Sequence, residues 1–359
     1  MTRSLRTHFT FLAAAAALTL AACGAPDAAP DGEAATPESV DAGVVNIYTA
    51  RYYASDYAVY DAFTEATGIE VNYIEAGGDL LIERVRLDAE RSPADIVITV
   101  DAGRLWRAEQ AGLFQAAPEL NDVLEGVPAN LRHPDGAWFG FSTRVRGVAY
   151  APDRVDASEI TDFADLADPR WQGRICVRSS SNVYNQSHLA ALINTTDVET
   201  AEAWAAGIVA NLARAPQGGD TDQIRAVAAG ECDLAIVNHY YVGRLKRADD
   251  PADRAVGDAV DFIMPPLAGA GSHVNISGAG LAANAPNREN AIAFLTYLLT
   301  DGQRFFPELT NEYPAVTSAN YDNAVLDSFG EINADPVNVN ALGENAGEAQ
   351  RIFDRVGWP

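Results

Sequence analysis

The stretch that decides the fold is residues 44–74, VVNIYTARYYASDYAVYDAFTEATGIEVNYI. Residues 44–48 form a short apolar run typical of a buried strand, and residues 71–74 form a second one. Between them, Ser55 is placed to begin a helix and Gly68 to end it. The stretch therefore predicts a β-α-β unit, in which a helix connects two parallel strands.

The same alternation continues along the chain. It predicts further strands over 95–99, 174–177 and 233–237, and helices over 79–91, 101–111, 185–193, 198–212 and 220–229. Strands that alternate with helices predict a parallel sheet with helices on both faces. Because the pattern stops and then restarts, we expect two α/β lobes.

Two extended apolar stretches, residues 138–142 and 262–266, are suited to strands that cross from one lobe to the other. Two crossings make a hinged cleft, which is a usual place for a ligand. The glycine-containing stretches 269–271 and 278–280 do not complete a dinucleotide-binding loop. We expect them to be hinge or turn segments.

The N-terminus predicts export. Arg3 and Arg6 precede an apolar run over 9–22 that is too short to span a bilayer, so residues 1–22 are predicted to be a signal peptide. Leu-Ala-Ala before Cys23 resembles the lipobox of bacterial lipoproteins, in which the cysteine carries the lipid. The alternative is an ordinary signal peptide with an incidental cysteine.

Residues 23–42 are rich in Ala, Pro, Asp and Glu, which predicts a flexible tether. With Cys23 lipidated, we expect a membrane-anchored lipoprotein on the periplasmic or cell-surface side. Cys176 and Cys232 remain, and an oxidising compartment permits them to pair or leaves both free.

Composition and missing motifs exclude several functions. The formal net charge of −25 repels nucleic acid, so no nucleic-acid partner is expected. The sequence contains no HExxH or GxSxG motif and no local CxxC pair. We therefore expect neither a zinc enzyme nor nucleophilic catalysis, and an extracellular hydrolase on a two-lobed scaffold is disfavoured.

Tyrosines follow the strands at three places. Tyr52 and Tyr53 come after the first strand, Tyr184 follows the strand over 174–177, and Tyr240 and Tyr241 follow the strand over 233–237. Segments beyond the carboxyl ends of parallel strands converge on the ligand crevice of such sheets. The tyrosines are therefore predicted to face one cleft.

Phenolate oxygens suit a hard trivalent cation such as Fe(3+). Each phenol costs roughly 4 kcal/mol to ionise at pH 7, so an empty cleft is predicted to hold neutral tyrosines. Two alternatives stay open from the residues alone. The tyrosine pairs are half-buried packing elements, or they form an aromatic cleft for an organic cation or small anion.

Five stretches carry a family resemblance that extends over nearly the whole mature chain. They are residues 94–106, 168–174, 178–186, 238–245 and 273–280. They resemble the ferric-iron-binding substrate proteins of bacterial ABC importers, in the tyrosine-rich branch found in cyanobacteria and related marine bacteria. The resemblance implies a two-lobed periplasmic-binding-protein fold of the type II-like class, with a mainly parallel sheet in each lobe.

The resemblance also implies the metal ligands. Tyr53, Tyr184, Tyr240 and Tyr241 match the tyrosines of the family. The family often has a histidine directly before the first of these, where this chain has Tyr52. Whether Tyr52 binds the metal therefore stays open.

Three arginines are candidates to balance charge or to hold a synergistic anion such as carbonate: Arg51, Arg144 and Arg178. Each could equally form an ordinary ion pair. The implied role is that of a binding component, not an enzyme, which takes Fe(3+) and delivers it to the permease subunits of an ABC importer. A monomer is expected.

The expected domain organisation follows from these elements. Residues 43–140 together with about 267–320 are predicted to form the first lobe, and residues 141–266 the second. Residues 321–359 are predicted to be a C-terminal helical segment that packs on the lobes.

Overall fold

The computed structural model describes residues 42–359. The predicted signal peptide, the predicted lipidation site Cys23 and the predicted tether up to residue 41 lie outside the described residues. The described residues belong to one compact unit. Among them, no helix has both the length and the apolar character needed to cross a bilayer.

The described strands form a mixed sheet. They are β1 (Val44–Thr49), β2 (Glu70–Glu75), β3 (Ile96–Val100), β4 (Phe139–Tyr150), β5 (Ile175–Cys176), β6 (Leu234–Asn238), β7 (Asp261–Ile263), β8 (Val274–Leu281) and β9 (Tyr313–Pro314). The strand order is β2-β1-β3-β8-β4-β6-β5, and β7 and β9 also pair with β4.

Helices cover this sheet. They are α1 (Ala54–Thr67), α2 (Gly78–Asp88), α3 (Ala102–Gln110), α4 (Asn121–Leu124), α5 (Val183–Thr195), α6 (Val198–Ala210), α7 (Asp220–Ala228), α8 (His239–Lys246), α9 (Pro251–Asp258), α10 (Arg288–Leu299), α11 (Ala324–Ser328), α12 (Asn340–Glu344) and α13 (Ala346–Val356). A π-helical turn spans Phe306–Thr310.

The predicted β-α-β unit is confirmed. Strand β1 pairs in parallel with both β2 and β3. Helix α1 buries Val59, Tyr60 and Phe63, which recur at helical spacing on its inner face. It ends at Gly68, whose φ of 76° lies in the left-handed region that glycine adopts without strain.

The crossing strand β4 is longer than predicted. Its 12 residues pair with β8 up to Val145 and with β6 from Arg146 onward, so one strand joins the two ends of the sheet. The sequence predicted only residues 138–142, because Arg144 and Arg146 interrupt the apolar pattern although both are buried. The second crossing strand was predicted over 262–266, but the strand found there, β7, ends at Ile263 and pairs with the last residues of β4.

The prediction for the glycines at 278–280 is wrong. Gly278 and Gly280 lie inside β8 and not in a turn. A β-carbon would come within 2.4 Å of Leu105 at the first position and of Phe114 at the second. These glycines therefore allow helix α3 and the segment after it to pack directly on the strand.

The two cysteines of the described residues form a disulfide. Strands β5 and β6 are parallel, and Cys176 forms a disulfide with Cys232 across a sequence separation of 56 residues. Both cysteines are buried. The disulfide therefore ties the end of β5, which leads toward Tyr184, to the segment just before β6, which leads toward Tyr240.

The C-terminal helices pack on helices from separate parts of the chain. Helix α12 contacts α3 and α5, and α13 contacts α5 and α6. The indole of Trp358 donates to the carbonyl of Arg178 (3.0 Å), and the amide of Ser180 donates to the carbonyl of Pro359 (2.9 Å). The last residues therefore fix the loop that precedes Tyr184.

Candidate metal centre

All the candidate tyrosines lie where a helix begins. Tyr53 is the residue immediately before α1, Tyr184 lies in the first turn of α5, and Tyr240 and Tyr241 lie in the first turn of α8. The N-terminus of a helix carries partial positive charge, which favours an anionic side chain close to it. This placement is therefore suited to phenolates.

The structure brings four of these tyrosines together. The hydroxyl oxygens of Tyr184 and Tyr240 are 3.2 Å apart. The ring of Tyr240 lies 4.3 Å from that of Tyr241 and 6.5 Å from that of Tyr53, centroid to centroid. Tyr52 also lies next to Tyr53, with 6.3 Å between ring centroids, but it differs from the other four because its side chain is 59% exposed.

Without a bound cation, the phenols of this cluster are neutral. Burial is the largest cause that raises the pKa values of Tyr53, Tyr184 and Tyr240 above the usual phenol value, and the neighbouring tyrosines raise them further. Burial and the carboxylate of Asp220 raise the pKa of Tyr241 to about 12. A bound cation is needed before these groups ionise near neutral pH.

A family model for bacterial extracellular solute-binding proteins matches residues 46–305. The chain belongs to this family.

Relatives of this solute-binding protein are named for iron. It is 47% identical over 323 residues to iron uptake protein A2 of Synechocystis sp. PCC 6803, which covers 89% of this chain and 91% of that protein. It is 43% identical to iron uptake protein A1 of the same organism over 341 residues, 94% of this chain and 93% of that one. A solved Trichodesmium structure, described as FutA with iron and citrate ligands, superposes with a TM-score of 0.84 at 48% identity and covers 88% of this chain and 100% of that chain. The two-lobed periplasmic-binding-protein fold is thereby confirmed.

Arg144 of the solute-binding protein lies beside the tyrosines. It is buried, contacts Glu312 and Ser277, and lowers the pKa values of Tyr184 and Tyr240 against the larger effect of burial. Its Nε and Nη1 atoms are buried and have no hydrogen-bond partner among the described residues. These donors are available to a phenolate or to a small anion.

Arg51 has a different environment. Its Nη1 and Nη2 donate to the two carboxylate oxygens of Glu312 at 3.0 and 2.9 Å, and its Nε donates to Asp56 at 2.9 Å. The other carboxylate oxygen of Asp56 accepts from the backbone amide of Tyr53 at 2.9 Å. All the guanidinium nitrogens of Arg51 therefore have protein partners, and the group holds Tyr53 in place.

Arg178 has one ion pair and one ring contact. Its guanidinium lies 3.5 Å from the carboxylate of Asp220 and 5.5 Å from the ring centroid of Tyr184. Asp220 also accepts a hydrogen bond, at 2.9 Å, from the backbone amide of Asn238, the residue immediately before α8. The pair thus links the segments that carry Tyr184 and Tyr240.

Two site residues were missed by sequence reasoning. The guanidinium of Arg244 lies 5.7, 5.8 and 5.4 Å from the rings of Tyr53, Tyr240 and Tyr241. Burial alone would raise the pKa of Glu312, but Arg51 and Arg144 outweigh it and lower that pKa to about 2. Arg244 was detectable from its position one helical turn after Tyr240, whereas the isolated Glu312 has no sequence motif.

Among residues 42–359, no group of three or more His, Cys, Asp or Glu side chains is placed to hold a metal ion. His239, next to Tyr240, has protein partners instead: its Nδ1 accepts a hydrogen bond from the amide of Val145 at 3.1 Å, and its ring stacks on Tyr313. The tyrosines are therefore the donor set that this cleft offers.

Proposed function

We propose that this solute-binding protein captures Fe(3+) through the phenolate oxygens of Tyr53, Tyr184, Tyr240 and Tyr241. The observation that carries the proposal is the convergence of these four side chains from three helix N-termini. The names of its relatives as iron uptake proteins support the choice of metal. Bound iron is then delivered to the permease subunits of an ABC importer.

The chemistry is an exchange of protons for a metal ion. Neutral phenols with raised pKa values do not ionise alone, but a trivalent cation favours the anionic form of each oxygen that it contacts. Hard oxygen donors favour Fe(3+) over softer divalent metals. Four phenolates around Fe(3+) leave one net negative charge, which Arg144, Arg178 and Arg244 are placed to compensate.

The protein also offers a place for a synergistic anion such as carbonate. Arg144 supports this role because two of its nitrogens are buried and unpartnered among the described residues. Arg51 is less suited to hold an anion, since Glu312 and Asp56 occupy its donors. We assign Arg51 to the support of Tyr53.

Tyr52 is a candidate fifth ligand. Its exposed ring would have to turn toward Tyr53 to reach the cluster, so its contribution depends on a movement of the side chain. Tyr52→Phe tests this directly, because loss of a ligand lowers iron affinity and loss of an exposed hydroxyl does not.

The alternative ligand, an organic cation or small anion in an aromatic cleft, is less well supported. Arg244 already lies against the rings of Tyr53, Tyr240 and Tyr241. An organic cation at the same faces would meet like-charge repulsion that neutral phenols do not offset, whereas Fe(3+) makes the phenols ionise and is balanced by their charge.

The proposed setting is extracytoplasmic. A lipid on Cys23 would anchor a monomer to the membrane through residues 23–42.

The proposed first lobe, residues 43–140 with about 267–320, supplies Tyr53, and the proposed second lobe, residues 141–266, supplies the other three ligands. Because the ligands are divided in this way, the closed state makes more bonds to the metal and is favoured by it. Residues 321–359 pack on the lobes and support the loop before Tyr184.

The test is a ferric titration followed by visible absorption. Wild-type protein mixed with ferric citrate should develop a phenolate-to-iron charge-transfer band, and Tyr184→Phe and Tyr240→Phe should weaken or abolish it. Tyr150→Phe is the matched control, because Tyr150 lies at the end of β4 where it pairs with β6 and β7. A wild-type mixture whose spectrum shows no band beyond the absorption of ferric citrate would contradict iron capture and favour an organic ligand.

A further inference from the structure

Three consecutive residues connect the ligand groups that come from separate parts of the chain. They are residues 311–313, Asn-Glu-Tyr, which we name the connector. All three are buried. They follow the π-helical turn Phe306–Thr310, and Asn311 has a φ of 57°, in the left-handed region.

The middle residue of the connector holds the Tyr53 side of the site. The carboxylate of Glu312 accepts from both terminal nitrogens of Arg51, which lies two residues before Tyr53. Arg51 also binds Asp56, whose carboxylate accepts from the amide of Tyr53. The position of Tyr53 is therefore linked to Glu312 through two charged contacts.

The outer residues hold helix α8, which carries Tyr240 and Tyr241. The side-chain oxygen of Asn311 accepts from Nη1 of Arg247 at 2.9 Å, and the same nitrogen donates to the carbonyl of Pro307 at 3.3 Å. Asn311 also packs on Gly243, where a β-carbon would lie 3.0 Å from that of Asn311. Tyr313 stacks on His239 at 4.7 Å between ring centroids. Residues at both ends of α8 thus contact the connector.

We propose that the connector sets the separation between Tyr53 and the Tyr240–Tyr241 pair, with Asn311, Glu312 and Arg247 as positioning residues. This inference rests on the proposed function. A metal site needs its ligands held to within a fraction of an ångström, so a change in this separation weakens or loses one iron-oxygen bond. The residues that fix it never touch the metal.

The contact between Arg247 and Asn311 gives the cleanest test, because both partners lie away from the tyrosine hydroxyls. Arg247→Ala removes the donor. Asn311→Gly removes the acceptor but keeps a residue that adopts positive φ without strain. Gly243→Ala favours the helix yet adds a methyl group that is too close to Asn311, so it changes the spacing without removing any polar group.

The matched control is Arg225→Ala. Arg225 is, like Arg247, an exposed arginine near a helix C-terminus, and it donates to Asp253 at 2.6 Å. It forms no contact with the connector. We expect the apparent Kd for Fe(3+) in competition with citrate to rise about tenfold in Arg247→Ala and Asn311→Gly, and to stay within twofold in Arg225→Ala. Arg247→Lys, which keeps a cationic donor, should recover part of the loss.

A double-mutant cycle separates positioning from general destabilisation. If the connector acts by setting the separation between Tyr53 and the Tyr240–Tyr241 pair, Arg247→Ala should lower affinity in the wild-type background and have little further effect when Tyr53 is already Phe. The absorbance per bound iron should also change in Arg247→Ala, which a loss of folded protein alone would not cause.

The outcomes distinguish this inference from the proposed function. Wild-type protein that develops no charge-transfer band contradicts iron capture itself. A normal wild-type band together with unchanged affinity in Arg247→Ala, Asn311→Gly and Gly243→Ala contradicts the connector. Additive losses in the cycle with Tyr53→Phe would likewise overturn it.

Discussion

At the scale of single residues, His188 shows how burial fixes a protonation state. Its ring lies 4.4 Å from that of Phe163 and 5.3 Å from those of Trp204 and His273, and neither ring nitrogen has a hydrogen-bond partner among the described residues. Burial, followed by the charges of His273 and Arg146, lowers the pKa of His188 well below its usual value. His188 is therefore neutral in the folded protein.

This state predicts a pH-dependent loss of stability. Above pH 6.5 the unfolded chain leaves His188 neutral as well, so the residue adds no pH dependence. As the pH falls below 6.5, the unfolded chain binds the proton more readily than the folded one, so the free energy of unfolding should fall. His188→Leu should remove this part of the pH dependence. Urea unfolding of wild type and His188→Leu at pH 7 and pH 5 measures this difference. An equal loss of unfolding free energy in the two proteins would contradict a neutral, buried His188.

At the scale of helices and strands, the sequence predicted the units in which apolar residues recur at one regular spacing. The β-α-β unit of β1, α1 and β2 has such a pattern, whereas helix α8, which carries Tyr240 and Tyr241, was not predicted. Strand β8 was missed because its glycines leave room for Leu105 and Phe114, a requirement that depends on residues far away in the chain. The full length of β4 was missed because buried arginines interrupt it.

The difference between local patterns and distant contacts also explains which site residues the sequence predicted. The tyrosines follow strands, and strand ends are visible locally. Glu312 lies 261 residues from its partner Arg51, and Arg247 lies 64 residues from Asn311. Contacts of this kind carry no local pattern, so a single sequence does not reveal them.

The disulfide gives a prediction for the β5–β6 element. Closing 56 residues with a covalent link removes conformational freedom from the unfolded chain, which stabilises the folded state by about 4 kcal/mol. The Cys176→Ala, Cys232→Ala protein should therefore unfold at a lower urea concentration than wild type. Treatment with a reductant after unfolding should lower the stability of wild type but leave the double variant unchanged. Equal unfolding midpoints would contradict a stabilising role.

At the scale of the whole molecule, the acidic composition and the cluster of neutral tyrosines act together. The net charge of −25 makes the protein as a whole attractive to cations, whereas Arg144, Arg178 and Arg244 lie beside the tyrosines. The proposed site thus combines a long-range attraction for a metal ion with local cations that stabilise phenolates. If the four tyrosines are the ligands, binding depends on proton release from all of them and not from one.

Iron affinity should therefore fall steeply on acidification. The raised pKa values keep all four tyrosines protonated below about pH 10, so each phenolate formed on binding releases one proton, and each released proton lowers the apparent affinity about tenfold per pH unit. Four ligands predict a slope near four in a plot of log affinity against pH between 6 and 8, once the protonation of the competing chelator and the hydrolysis of free iron are corrected. In Tyr241→Phe the slope should fall to near three, whereas in Tyr150→Phe it should not change. A slope near zero in wild type would mean that the metal is held by groups other than these phenols, because carboxylates and arginines do not exchange protons in this range.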